Sequence, residues 1–260
     1  MKTIAIYTNK GGVAKTTSAV SIASTLCTMG NKCLVVDMDA QGCLGELLLH
    51  DDPDQIWHLM TIDRVLQEKL PLIDTVSITA FKYWDRESRT YPELRLDVLP
   101  SSPDLALYDF SDMNEVRDLL ATVDKEYDYC FLDMPPANSD ITYVGLCASD
   151  YLLTPFKADR FSASAIDHVQ VIYEKILNFN PSLKFIGAFI TDCDDRFKVS
   201  KWIKQNYDEN DLFFKSYVRH SSCFDEANLF GKPIVCMTGS KGAEDYLNVT
   251  NELLTRMGDK

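Results

Sequence analysis

Eight residues near the N-terminus, Lys10-Gly11-Gly12-Val13-Ala14-Lys15-Thr16-Thr17, stand between an apolar strand pattern and an apolar helix pattern. Ile4-Ala5-Ile6-Tyr7 reads as the strand. Ser18 to Met29 reads as the helix, with Ala19, Ile22, Ala23 and Leu26 on one face and Gly30-Asn31 ending it. A strand that turns through small residues into a helix lines a concave loop with consecutive backbone N–H groups. The positive end of the helix points at the same place. That arrangement suits an anion, above all a phosphate. Lys15 follows where its side chain can reach the outer phosphates of a nucleotide, and the Thr16 hydroxyl can ligate Mg²⁺.

Strand-like runs alternate with helical patterns through the rest of the chain. This predicts an α/β, doubly wound fold: a mostly parallel central sheet with helices on both faces. Cys33-Leu34-Val35-Val36 is the second strand, and further strands are expected at Leu94 to Leu99, Tyr129 to Leu132, Tyr151 to Thr154, Phe185 to Ile190 and Leu212 to Phe214. Helices are expected at Met113 to Val123, Ser162 to Leu177, Lys198 to Asn206 and Glu244 to Met257. The stretch 50–91 is the least regular, acidic early and carrying Trp57, Tyr83, Trp84 and Tyr91. It reads as a decorated crossover with room for a short hairpin. No internal repeat and no linker rich in Pro, Gly or Ser divides the chain, so residues 1–260 are expected to form one domain.

Composition narrows the function. No run approaches the ~18 apolar residues of a membrane helix, and the first strand is too short for a signal-peptide core. A cytoplasmic protein without a membrane partner is expected. The net charge of −13 argues against nucleic-acid contact over the whole surface and confines any such contact to a local patch. The eight cysteines show no C-x-x-C spacing and fall mostly in apolar segments, so they are expected to be reduced and buried. His50, His58, His168 and His220 share no metal-ligand spacing.

Two aspartates end predicted strands, the place where ligands bind in open α/β sheets. Asp39 lies in Val35-Val36-Asp37-Met38-Asp39-Ala40-Gln41-Gly42, and Asp133 in Phe131-Leu132-Asp133-Met134-Pro135-Pro136. An aspartate at a strand end also serves as a helix cap or turn residue. Two of them downstream of this loop point to a nucleotide site.

The ordinary Walker pattern, G-x-x-x-x-G-K-[ST], is not met, because Asn9 and Ala14 occupy its glycine positions and Lys10 stands ahead of two glycines. The segment instead resembles the deviant Walker A motif of the ParA/MinD-type P-loop ATPases, K-G-G-x-G-K-[ST], with Ala14 as the departure. A positive φ at that position would strain alanine by ~1–2 kcal/mol. The resemblance implies a P-loop NTPase with ATP and Mg²⁺ as cofactors. It places the nucleotide on Lys10, Gly11, Gly12, Val13, Ala14, Lys15, Thr16 and Thr17. Lys15 would act on the phosphates, and Lys10 would cross an ATP-sandwich homodimer to the partner's nucleotide. Asp39 would orient or deprotonate the attacking water, supported by Asp37. The metal would be held by Thr16, Asp133 and Asp39, with Asp133 acting through a bound water.

The likeness reaches the C-terminus. Leu96-Asp97-Val98-Leu99-Pro100-Ser101, Gly231-Lys232-Pro233-Ile234 and Ser240-Lys241-Gly242-Ala243-Glu244-Asp245-Tyr246 are similar to family segments. Tyr217-Val218-Arg219-His220 stands where partition ATPases carry I-P-R-N, which makes Arg219 a candidate for both nucleotide and DNA contact. The chain lacks a basic amphipathic C-terminal helix of the MinD type and the C-x-x-C of iron–sulfur carriers, which leaves the ParA branch. That branch implies non-specific DNA binding in the ATP state, here through Arg196, Lys198, Lys201 and Arg219. Lys204 follows on the same helix side; the plainer alternative is a solvated helix face, and Asp192, Asp194 and Asp195 adjoin it. The implied function is a slow, Mg²⁺-dependent ATPase, stimulated by a ParB-like partner, that segregates a plasmid, chromosome or other cargo. One rival is an ATP-dependent switch that positions a protein complex without binding DNA. Another is a metabolic enzyme that couples ATP to ligation or reduction.

Overall fold

Side chains that alternate across a strand must find an apolar layer on each side if both sets are apolar. Ile4 and Ile6 join Val35 and Phe131 on one face, while Ala5 and Tyr7 join Leu34, Val36 and Leu132 on the other. The computed structural model describes residues 1–49, 60–85, 87–159, 162–194, 196–198, 200 and 210–259. In it these segments lie in one seven-stranded sheet. The strands are β1 (Lys2–Ile6), β2 (Cys33–Asp37), β3 (Ser77–Lys82), β4 (Glu93–Leu99), β5 (Tyr129–Asp133), β6 (Tyr151–Lys157) and β7 (Lys184–Thr191). Their order is β3-β4-β2-β5-β1-β6-β7, parallel throughout except for the antiparallel edge pair β3–β4.

Helices cover both faces, as the alternation predicts. On one side α1 (Lys15–Thr28) packs Ala19, Ile22, Ala23 and Leu26 into the same layer as Tyr246, Val249 and Leu253 of the C-terminal helix, Lys241–Met257. On the other side lie the helices Glu115–Ala121, Asp140–Cys147 and Ser162–Ile176. They contribute Val116 and Leu120, Val144 and Leu146, and Val169 and Ile172. Three further short helices, Cys43–Leu48, Ile62–Glu68 and Cys223–Leu229, complete the set among the described residues. In chain order the helices after α1 are α2 (Cys43–Leu48), α3 (Ile62–Glu68), α4 (Glu115–Ala121), α5 (Asp140–Cys147), α6 (Ser162–Ile176), α7 (Cys223–Leu229) and α8 (Lys241–Met257).

Several expectations are corrected. No strand forms at Leu212 to Phe214: only Phe213 bridges to Ala188. The Glu252 carboxylate then takes the N–H groups of Lys215 (3.0 Å) and Ser216 (2.8 Å), drawing the chain toward α8. Helix α8 starts at Lys241, ahead of the expected Glu244, because the Ser240 hydroxyl caps it by accepting from Ala243 N–H at 3.2 Å. The helix expected at Met113 to Val123 is trimmed to α4. The one expected at Lys198 to Asn206 lies mostly outside the described residues. Within 60–91 the crossover contains α3 and β3, and β3 forms an antiparallel hairpin with β4 that leaves it an edge strand. All eight cysteines are free thiols, but only Cys33, Cys130, Cys147 and Cys193 are buried, and Cys43 is exposed. Among the described residues no helix is long and apolar enough to cross a membrane.

Candidate functional site

Strand register gathers the site. Ile6 pairs with Asp133, and Asp133 with Asp37, so the carboxyl ends of β1, β5 and β2 lie in one row where the loop leaves β1. That loop enters α1 through Ala14, which adopts the left-handed conformation (φ 64°, ψ 39°) and makes no side-chain cap. Gly12 also has a positive φ of 69°, and no atom lies within 4 Å of where a Cβ would sit on Gly11 or Gly12. The loop therefore has an open side over a helix start whose first N–H groups have no partner within the helix. Its far side is anchored. Val13 is buried, and the Thr191 hydroxyl lies 3.1 Å from Val13 O and 3.2 Å from Phe156 O, tying the loop to β6 and β7.

Lys15 is buried within this cradle at 8% exposure, and its ammonium donates to the Lys10 carbonyl at 3.1 Å. Burial lowers its pKa, opposed by the carboxylates of Asp133 and Asp39. Thr16 follows it in the first turn of α1, and its hydroxyl donates to Asp133 Oδ2 at 2.5 Å. Asp133 is 1% exposed, and its second oxygen, Oδ1, has no hydrogen-bond partner in the protein. Burial pushes this carboxyl up to about 7, Asp39 adds to the rise, and the Thr16 bond and Lys15 charge oppose it. A buried carboxylate oxygen without a partner is a costly group. It fits a hard divalent cation, which takes oxygen ligands and keeps several waters.

Asp37 and Asp39 divide their work. Asp37 is fully buried and accepts the N–H groups of Asp39 (2.9 Å) and Leu44 (3.1 Å), which builds the turn from β2 into α2. Burial and the nearby Asp133 push its pKa well up. Asp39 is half-buried, with Oδ1 accepting from Gln41 N–H at 3.1 Å and its carbonyl accepting from the Ser101 hydroxyl. On the other flank, Lys10 forms an ion pair with Asp159 at 3.4 Å.

Lys10 to Thr17, Asp39 and Asp133 thus share one end of the sheet. The basic candidates stand differently. Arg196 is exposed but forks onto Asp194 at 2.6–3.0 Å, which holds that carboxyl down at about 2. Lys198 is exposed, while Lys201 and Lys204 lie outside the described residues. Arg219 grips Asp245 through its guanidinium (2.6 and 2.9 Å) and its backbone N–H (2.9 Å), with Glu244 at 3.3 Å. It fastens residues 215–220 to α8, and among the described residues no hydrogen bond joins it to the phosphate loop. Sequence reasoning missed Thr191, which holds the loop, and took Ser101, which holds the Asp39 turn, only as the end of a family-like segment. A lone hydroxyl far along the chain carries no local signal.

A family profile described as an AAA domain matches residues 1–185. The chromosome partitioning protein ParA of Myxococcus xanthus (strain DK1622) is 30% identical over 267 residues, covering 97% of this chain and 88% of its own. The sporulation initiation inhibitor protein Soj of Bacillus subtilis (strain 168) is 27% identical over 266 residues, covering 97% of this chain and 98% of its own. Among solved structures, the cobyrinic acid a,c-diamide synthase of Mycobacterium smegmatis with bound ATP analog and magnesium is similar at a TM-score of 0.78. It is 25% identical over 99% of this chain and 96% of that one.

Proposed function

Because the chain belongs to the ParA/MinD-type P-loop ATPases, with ATP and Mg²⁺ as its cofactors, we propose that it works as a partition or positioning ATPase. It closes as an ATP-sandwich homodimer and grips DNA without sequence preference in that state. The observation that carries the reading is Asp133: a buried carboxylate tied to Thr16 through one oxygen and unpartnered at the other, beside an open glycine loop and a buried lysine.

Bound nucleotide supplies a transferable phosphoryl group, and Mg²⁺ supplies positive charge beside it. The chain's residues do the rest. Backbone N–H groups of residues 11–17 cradle the phosphates, and Lys15 sets its ammonium among them. Thr16, Asp133 and Asp39 hold the metal side. Asp39 Oδ2, the oxygen not taken by Gln41 N–H, orients the attacking water and accepts its proton, while Asp37 fixes the Asp39 backbone. Lys10 crosses to the partner's nucleotide and acts in trans as an arginine finger does. Hydrolysis is slow in the isolated protein and quickened by a ParB-like partner, and it releases the dimer from a nucleoid-bound state. Arg196, Lys198, Lys201 and Arg219 are the DNA-facing candidates, and the cargo is a plasmid, a chromosome or another large assembly. The 30% identity to a named chromosome partitioning protein over 97% of the chain supports this over an ATP-coupled metabolic enzyme.

One observation favours a second reading, an ATP-dependent switch that positions a protein complex without touching DNA. Arg196 and Arg219 are both engaged by acids of the same chain, whose net charge is −13. Binding to random-sequence duplex DNA, measured with ATP and with ADP at two salt concentrations, separates the two. ATP-dependent binding that falls steeply with salt is the partition result. An ATP dimer that ignores DNA even at low salt is the switch result, and a chain that stays monomeric with ATP overturns both.

A further inference from the structure

Tyr246 of α8 sits far along the chain from the phosphate loop, yet its hydroxyl reaches that loop through one intermediary. Tyr246 Oη lies 2.9 Å from Ser18 Oγ, both side chains fully buried, and Ser18 Oγ donates to the carbonyl of Ala14 at 2.6 Å. The Ser18 hydroxyl has one proton, already given to Ala14, so Tyr246 must be the donor in the pair. Burial raises the Tyr246 pKa, so the hydroxyl keeps its proton. Ser18 N–H also donates to Ala14 O, at 2.9 Å. The carbonyl of the one non-glycine residue that the loop forces into the left-handed region is therefore held by two donors, one of them braced from α8.

The peptide plane explains what this achieves. Ala14 C=O and Lys15 N–H belong to one rigid unit and point opposite ways. With the carbonyl held inward along α1, the Lys15 N–H faces out of the helix start, into the cradle. Alanine gains by leaving the left-handed well, and leaving it turns that plane. Glycine at the same place would need no restraint.

Resting on the nucleotide-site reading above, we infer that Tyr246 is a positioning residue for the phosphate loop: through Ser18 it clamps the Ala14–Lys15 peptide plane so that the Lys15 amide faces the nucleotide's phosphates. The clamp answers the departure at Ala14, and its ligand is the polyphosphate of the bound nucleotide.

Tyr246→Phe keeps the ring, which packs edge-on against Phe224 at 5.9 Å between centroids, and removes only the donor. The expected result is Mg²⁺-ATP affinity about fivefold weaker, the size of one net hydrogen bond. In an Ala14→Gly background the same change should cost less than about twofold, because the plane no longer needs holding. Ser18→Ala, which favours helix, serves if Tyr246→Phe folds poorly, and it follows the same pattern. Affinities for both variants within experimental error of wild type would overturn the clamp. So would an equal loss in the glycine background, the mark of general loosening. Amide exchange of the loop in the nucleotide-free protein supplies an independent readout: faster exchange in Tyr246→Phe supports the clamp, and unchanged exchange overturns it. A wild-type chain that binds no Mg²⁺-ATP fails the parent reading instead, and the exchange result still decides this one.

Discussion

Ala14 is where the phosphate loop carries its backbone cost. A left-handed alanine is disfavoured by roughly 1–2 kcal/mol, and Ala14 holds φ 64°. Ala14→Gly should therefore stabilise the nucleotide-free protein by about 1 kcal/mol, the relieved strain less the extra chain entropy of glycine. A urea titration reads this as a higher midpoint at unchanged slope. Asp133 makes a second prediction at this scale. Its folded pKa, about 7, lies above the ordinary aspartate value of about 4. A raised pKa means that the nucleotide-free fold favours the protonated form. That contribution to stability is present at low pH and is lost as pH rises from about 4 through about 7. Asp133→Asn, which never ionises, should flatten the dependence of unfolding free energy on pH between 5 and 8. Mg²⁺-nucleotide affinity of the wild type should rise across the same window, because the metal takes the carboxylate. Lys15, Thr16, Asp39 and Asp133 were legible because each belongs to a local pattern at a strand end or helix start. Ser18–Tyr246 and Thr191–Val13 were not, since those contacts join residues 228 and 178 positions apart.

Elements show the same division between local pattern and distant contact. The inner strands were readable because continuous apolar runs bounded by turns have few other homes. Short helices such as α2 and α7 span fewer than two full turns of pattern, and the N-terminal cap that sets the start of α8 depends on a single serine. The chain after β7 was misread as a strand because its apolar residues serve a different purpose. Arg256 donates to the carbonyls of Ile186, Asp211 and Phe213 and lies 4.2 Å over the ring of Phe214, so α8 holds this segment together with a short backbone pairing to β7, Ala188 N–H to Leu212 O and Phe214 N–H to Ala188 O at 2.8 Å each. Gly187 makes room for that arrangement at a register shift between β6 and β7, with φ 136°. A Cβ there would stand 2.8 Å from the Leu212 carbonyl and 2.9 Å from Arg256 Nη1. Gly187→Ala should destabilise the protein by about 3 kcal/mol, backbone strain and overpacking together, as a lowered denaturation midpoint.

Across the whole molecule, the α/β layering and the position of the site at the strand ends followed from alternation and one loop. The proposed contact with DNA would have to be made by a surface whose net charge is unfavourable, −13 over 260 residues. On that proposal binding would come from a patch, which a dimer would double. The affinity of the ATP state for random duplex DNA should fall with a log–log salt slope near −0.9 for each phosphate neutralised. Lys198→Glu should weaken it at every sequence alike while leaving ATP-driven dimerisation in place, as read by light scattering. All of this presupposes a nucleotide held by the loop. Titrating a fluorescent ATP analogue into wild type and Lys15→Ala, with and without Mg²⁺, tests that most directly. The account predicts saturable, Mg²⁺-strengthened binding at one site per chain in the wild type and its loss in Lys15→Ala. Equal affinity in the two proteins would contradict it.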